Sequence, residues 1–205
     1  MYQEINASST AFASMFNSIV APRPIGWISS ISAAGVVNLA PFSYFNGISP
    51  APAMVMFACN GPLDRDQKDT IANIREVPEF VANFACYELR AQINLSSATV
   101  PRGVNEFDLI GLESAPARLV RPPMVKAAPA NLECTVVKIV DLPPQAPGER
   151  MSSVVIGRVV AVHVQDAFLN ADGRFDTRRA NPLLRLGGFT YGTLGELLEI
   201  PRPVV

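Results

Sequence analysis

The chain has 205 residues, 49% of them hydrophobic and only 17% charged, which is enough apolar material for one well-buried domain and excludes a disordered chain. A net charge of −1, with no run of Lys or Arg, excludes the electrostatic footprint of a nucleic-acid or acidic-membrane binder. No apolar stretch approaches the roughly 18 residues of a membrane span, and the amino terminus lacks a basic region followed by an apolar run, so no leader is expected and a reducing cytoplasm is the default location.

Proline occurs 18 times and falls at boundaries, which rules out long helices. Asn6 to Phe16 reads as a short amphipathic helix, with Phe12, Met15, Phe16 and Ile19 at helical spacing. Ile25 to Ile31 alternates as a strand. Ala33-Ala34-Gly35 turns the chain, and Val36 to Ala40 returns. The apolar run Ala53 to Cys59 predicts a central strand buried on both faces. Asp69 or Thr70 suits a helix N-cap, with Ile71 and Ile74 inward and Pro78 as the stop. Glu79 to Tyr87 is a strand and Glu88 to Ala98 a helix with Leu89 and Ile93 inward. Leu132 to Leu142 and Val154 to Gln165 are two long strands, the second with a bulge at Gly157, joined by a proline-rich loop from Pro143 to Gly148. Asn170 to Gly173 is a turn, and the tail from Pro182 ends in a helical stretch, Leu194 to Ile200. The strands do not alternate regularly with helices, so a Rossmann sheet is disfavoured.

Three well-separated cysteines, Cys59, Cys86 and Cys134, argue against both a disulfide scaffold and a zinc site and read as small buried hydrophobes in strands. His163 is the only histidine. It lies inside a strand, and the sequence contains no G-x-S-x-G elbow, so a hydrolytic triad is unsupported. Neither a P-loop nor a G-x-G-x-x-G motif is present.

Two segments stand out. The block Asn38-Leu39-Ala40-Pro41-Phe42-Ser43-Tyr44-Phe45-Asn46 mixes amides, a hydroxyl and aromatics around a proline. It reads either as a loop anchored in the core or as a pocket wall for a flat heteroaromatic ligand. The stretch Lys68-Asp69-Thr70 through Asn73 reads either as an ordinary helix start or as a phosphate clamp, where free N–H groups, the Lys68 charge and the Thr70 hydroxyl meet a dianion. Asp69 would repel phosphate and fits capping or orienting a neighbour.

These segments, with Arg23-Pro24-Ile25-Gly26-Trp27-Ile28-Ser29 before them and Glu79 to Asn83, Arg185-Leu186-Gly187-Gly188 and Tyr191 after them, resemble the flavin reductase-like family with its FMN-binding split barrel, in particular the flavoredoxin-like branch. The resemblance implies a mainly β fold, a six-stranded antiparallel split β-barrel with inserted helices. It covers one domain over 1–205, with a core at about 20–165 and an extension at 166–205 that closes the pocket or the dimer interface. It implies a homodimer that binds FMN, with FAD as the alternative. Around the flavin it places Trp27, Ser29, Ser30, Asn38, Leu39, Ala40, Ser43, Tyr44, Phe45, Asn46, Asn60, Lys68, Asp69, Thr70 and Asn73, with Arg185 and Tyr191 closing the site. His163 is the candidate for a histidine near a nicotinamide. The implied activity is an NAD(P)H-dependent flavin reductase that passes hydride to flavin N5 and serves an oxygenase or another acceptor. The alternatives are a non-enzymatic FMN-carrying electron-transfer protein and a flavin-free interaction protein that keeps only the barrel.

Overall fold

A computed structural model describes residue 2 and residues 10–61, 67–144 and 150–204. In chain order the elements are α1 (Thr10–Ile19), β1 (Arg23–Pro24), β2 (Gly26–Ile31), β3 (Val37–Phe42), β4 (Phe45–Pro50), β5 (Ala53–Asn60), α2 (Asp69–Glu76) and β6 (Glu79–Phe84). After a 3-10 turn at Tyr87–Leu89 come α3 (Arg90–Leu95), α4 (Glu106–Leu109), β7 (Ser114–Ala115), β8 (Met124–Val125), β9 (Ala130–Leu142) and β10 (Ser152–Val164). A second 3-10 turn, Asp166–Phe168, leads to α5 (Thr177–Ala180), β11 (Leu184–Arg185) and β12 (Tyr191–Gly192).

Seven strand segments form one antiparallel sheet in the order β3-β2-β6-β9-β10-β5-β4. β3 and β4 are its two edges, yet only Ser43 and Tyr44 separate them in sequence. The segment 37–50 is therefore one bent strand that pairs with β2 on one side and β5 on the other, and the Ala58 amide donates to the Tyr44 carbonyl at 2.8 Å within the bend. The sheet closes on itself, and with the bent strand counted once the barrel has six strands, as expected. Among the described residues, closure leaves the main sheet no free long edge to template aggregation.

Register decides which residues enter the barrel. Ile28 pairs with Ala82 and Phe80 with Cys134, and these residues share the interior with Phe42, Phe57 and Val155. Phe57 packs between Phe42 and Phe80, with ring centroids 4.9 and 5.4 Å away. The Phe80 ring occupies the space a Cβ at Gly157 would need, which explains glycine there, and the expected irregularity falls between Ile156 and Gly157. Ile71 and Ile74 of α2 plug one end of this core. The opposite face of β2 and β3 carries Trp27 and Leu39 into a second core under α3 and α4, with Ile93 and Phe107.

Several expectations need correction. α1 begins at Thr10 and runs to Ile19; the expected start at Asn6 lies outside the described residues. β5 pairs with β10 and β4 and buries one face fully, alternating Val55, Phe57 and Cys59 with half-buried Met54, Met56 and Ala58, so it is not buried on both faces. The strand expected to reach Tyr87 stops at Phe84, and the helix expected from Glu88 to Ala98 is a 3-10 turn followed by a short α3. Cys86 lies beyond β6, bridged to Pro182, whereas Cys59 and Cys134 are in strands; all three are buried and free. The proline-rich loop falls partly on 145–149, outside the described residues. Leu194 to Ile200 is not helical. Gly195 interrupts it, and Leu197, Leu198 and Ile200 find no surface to cover them, so a segment this short lacks the packing that helices of its length require. No described helix is long and apolar enough to cross a membrane.

Candidate functional site

The site lies where α2 meets the mouth of the barrel. Lys68 is extended (φ −68°, ψ 151°), and its carbonyl accepts the Ile71 and Ala72 amides, so Lys68 and not Asp69 or Thr70 occupies the N-cap position. Its side chain makes no cap bond; it reaches over Phe42, with Nζ 5.5 Å from the ring centroid. Thr70 and Asn73, both buried, tie the helix to the sheet. Asn38 Nδ2 donates to Thr70 Oγ1 at 2.8 Å, and Asn73 Nδ2 donates to Ser30 Oγ at 3.2 Å. The first-turn amides of a helix have no intrahelical acceptor and carry partial positive charge.

A cleft of about 120 Å³ opens at this helix start, between Asn38, Ala40 and Lys68 to Thr70 on one side and Ser96, Ser97 and Glu106 on the other. Glu106 is almost fully buried, and its Oε2 accepts the Leu39 amide at 2.8 Å. Burial pushes its carboxyl up, the Leu39 amide and its own amide oppose, and the Asp69 charge adds to the rise. Sequence reasoning missed Glu106. The only signal was the helix start at Asn105, whose side chain accepts the Phe107 amide at 3.1 Å. Cys59 offers no nucleophile here: burial pushes its thiol to about 11, against the lowering effect of Lys68.

The structure thus brings together Asn38, Ala40, Lys68, Asp69 and Thr70, with Asn73 and Ser30 behind them. It places others elsewhere. Trp27 and Leu39 are fully buried on the opposite sheet face, and the indole N–H donates to Ser96 Oγ at 2.9 Å. Ser29 is buried on that same face and donates to the Pro123 carbonyl at 2.5 Å. Ser43 is half-buried at the strand bend. Tyr44 donates its hydroxyl to Asn17 Oδ1 at 2.7 Å and stacks under Arg23. Phe45 packs on Gly26 inside the barrel, Asn46 is exposed on β4, and Asn60 at the end of β5 accepts from Ser152 Oγ at 3.2 Å. Arg185 and Tyr191 stack on each other, 4.4 Å from guanidinium to ring centroid. They belong to a small sheet with β1, and Tyr191 lines a separate groove with Tyr87 and Asn94.

His163 sits on the outer sheet face, with Nε2 against Glu133 Oε1. Glu133 is fully buried and also accepts the amides of Arg118 (2.9 Å), Leu119 (2.6 Å) and Val120 (3.1 Å), clamping the 116–125 strap over Val81. That face is opposite to the one bearing Asn38 and Ser30. His163 is thus satisfied by Glu133 and lies apart from the site residues Asn38 and Ser30. Among the described residues no cluster of three or more His, Cys, Asp or Glu could hold a metal ion.

A family model described as a flavin reductase like domain matches residues 18–180. An uncharacterized protein of Halalkalibacterium halodurans is 34% identical over 186 residues, which cover 91% of this chain and 88% of that protein. Among solved structures, nitrilotriacetate monooxygenase component B from Bacillus cereus superposes with a TM-score of 0.89 at 28% identity, covering 98% of both chains. The flavoredoxin of Desulfovibrio vulgaris (Miyazaki F) shares the fold, with a TM-score of 0.74 at 17% identity over 98% of this chain and 97% of that one.

Proposed function

The chain belongs to the flavin reductase-like family, and on that premise we propose that it is an FMN-dependent oxidoreductase, specifically an NAD(P)H:flavin reductase. The observation that carries this reading is the cleft at the start of α2, whose donor set suits a phosphate ester. Lys68 supplies a point charge, Thr70 a hydroxyl held in place by Asn38, and the first turn its amides. A volume of about 120 Å³ accommodates a terminal phosphate and leaves the ring system to lie outside it, beside Ala40 and Pro41. When bound, the flavin supplies the hydride-accepting chemistry at N5, while the protein supplies binding, orientation and electrostatics.

This chain's own residues serve that end by position. Lys68 offsets charge, and the bonds from Asn38 and Asn73 hold α2 against the barrel so that Thr70 is pre-aimed. Glu106 fixes the backbone of β3 through the Leu39 amide. Hydride transfer needs no side-chain nucleophile, and the protonated, buried thiols fit that requirement. Because the Bacillus cereus neighbour is by name a monooxygenase component, an oxygenase is our proposed acceptor. We further propose a homodimer in the cytoplasm. Met15, Phe16 and Ile19 form an exposed apolar stripe on α1 that a second copy would cover, and light scattering at the mass of one chain would refute that assembly.

The test is anaerobic stopped-flow mixing of FMN-reconstituted protein with NADH and with NADPH. Loss of the oxidised-flavin absorbance with either is the expected result. Bleaching by a low-potential protein donor alone would make the chain an electron carrier, and a failure to bind FMN would remove the flavin reading altogether.

A further inference from the structure

A second groove, of about 400 Å³, is lined by the buried Leu183 and by Tyr87, Arg90, Asn94, Tyr191 and Thr193. That volume is within the roughly 300–1,000 Å³ of small-molecule sites. Asn94 lines this groove, whereas Ser96 and Ser97, just beyond the end of α3, line the cleft at α2.

The lining has a definite chemistry. Among the described residues that line it, Arg90 is the only charged one and none is a carboxylate. Its guanidinium stacks on Tyr87, 4.1 Å from the ring centroid, and Nη1 donates to the Tyr87 carbonyl at 3.0 Å, which holds the fork in one orientation. Glu88, the nearest acid in sequence, is engaged by Asn181, whose Nδ2 donates to it at 3.1 Å. Arg185 stacks on Tyr191 and bonds its hydroxyl, so that ring too is oriented before any ligand arrives. A stacked guanidinium is weakly hydrated and matches a carboxylate bidentately, and an aromatic wall over an apolar floor matches a planar ring.

We propose that this groove binds a planar aromatic carboxylate, with its ring against Tyr191 over Leu183 and its carboxylate on Arg90. Asn94 and Thr193 supply an amide and a hydroxyl for ring substituents. The proposal does not depend on the flavin reading, because none of these residues lines the flavin cleft.

The test is calorimetric titration of the full chain, reconstituted with FMN, with benzoate, benzyl alcohol and cyclohexanecarboxylate. Benzoate is expected to bind saturably, and each of the other two at least about tenfold more weakly, since one lacks the charge and the other the flat ring. Arg90→Gln is expected to bring benzoate down to the level of benzyl alcohol while leaving FMN affinity unchanged, and Tyr191→Leu to bring it down to the level of cyclohexanecarboxylate. No saturation by benzoate up to about 10 mM, or equal benzoate affinity in Arg90→Gln and the parent, would overturn the proposal. A loss of FMN binding by the parent chain would instead count against the flavin reading, so the two failures are distinguishable.

Discussion

Replacing Glu133 by Gln tests whether one buried carboxylate holds the 116–125 strap. Its Oε1 accepts from the Arg118 amide and His163, and its Oε2 from the Leu119 and Val120 amides. Glutamine keeps one acceptor oxygen and turns an NH₂ toward a backbone donor, so at least one amide bond is lost in a site with no exposure to water. Bonds to a charged group contribute about 1.5–3 kcal/mol each, and breaking one member of a buried charged cluster costs about 3–5 kcal/mol, so a loss of about 3–5 kcal/mol is expected. Urea unfolding with an unchanged slope would measure it, and the melting temperature would fall by roughly 6–20 °C for a chain of this size. The pH dependence follows from the same contacts. Burial pushes the carboxyl up, but the Arg118 amide, His163 and the Leu119 amide outweigh it and hold Glu133 below its ordinary value. A depressed carboxylate contributes stability above its unfolded value that is lost as pH falls through the folded one, so the parent loses this contribution on acidification below about 4.5 and Glu133→Gln does not. A variant within about 1 kcal/mol of the parent, with the same acid slope, would refute the clamp.

Lys68→Ala is expected to weaken FMN binding by about 1.5–3 kcal/mol in a fluorescence titration and to leave riboflavin, which lacks the phosphate, unchanged. Glu106→Gln retains an acceptor for the Leu39 amide but removes an ionisable group that lines the same cleft, so ionisation of Glu106 as pH rises should weaken FMN binding relative to riboflavin in the parent and not in the variant, read by titrations across pH. Gly157→Ala drives a methyl into the Phe80 ring and should destabilise the fold by about 1–3 kcal/mol in thermal or urea unfolding.

The strands at 26–31, 130–142 and 152–164 were legible because β-branched runs bounded by turn residues admit few other structures. The helix start at 68–73 was legible from residue types and the Pro78 stop, one position away from the expected cap. β4 was not, because Phe45 to Pro50 lacks clean alternation and becomes a strand only by pairing with β5. Glu106 and Glu133 were invisible for a related reason. An acidic residue reads as surface until tertiary structure surrounds it with backbone amides, and the partners of Glu133 lie 13 to 30 positions away. Trp27, Ser29 and Leu39 alternate with Ile28 and Asn38, and period 2 sends them to the face opposite Asn38 and Ser30.

The bent segment 37–50 has a mechanical meaning. It is the seam of the barrel, stitched to β2 at one end and β5 at the other, and Asn38 and Ala40 of the cleft ride on it. Anything that grips those residues therefore tightens the whole cylinder, so occupancy should slow amide exchange along both flanking strands rather than at the contact points alone. A break in the chain at Ser43–Tyr44 would open the cylinder and unmake the cleft in a single event.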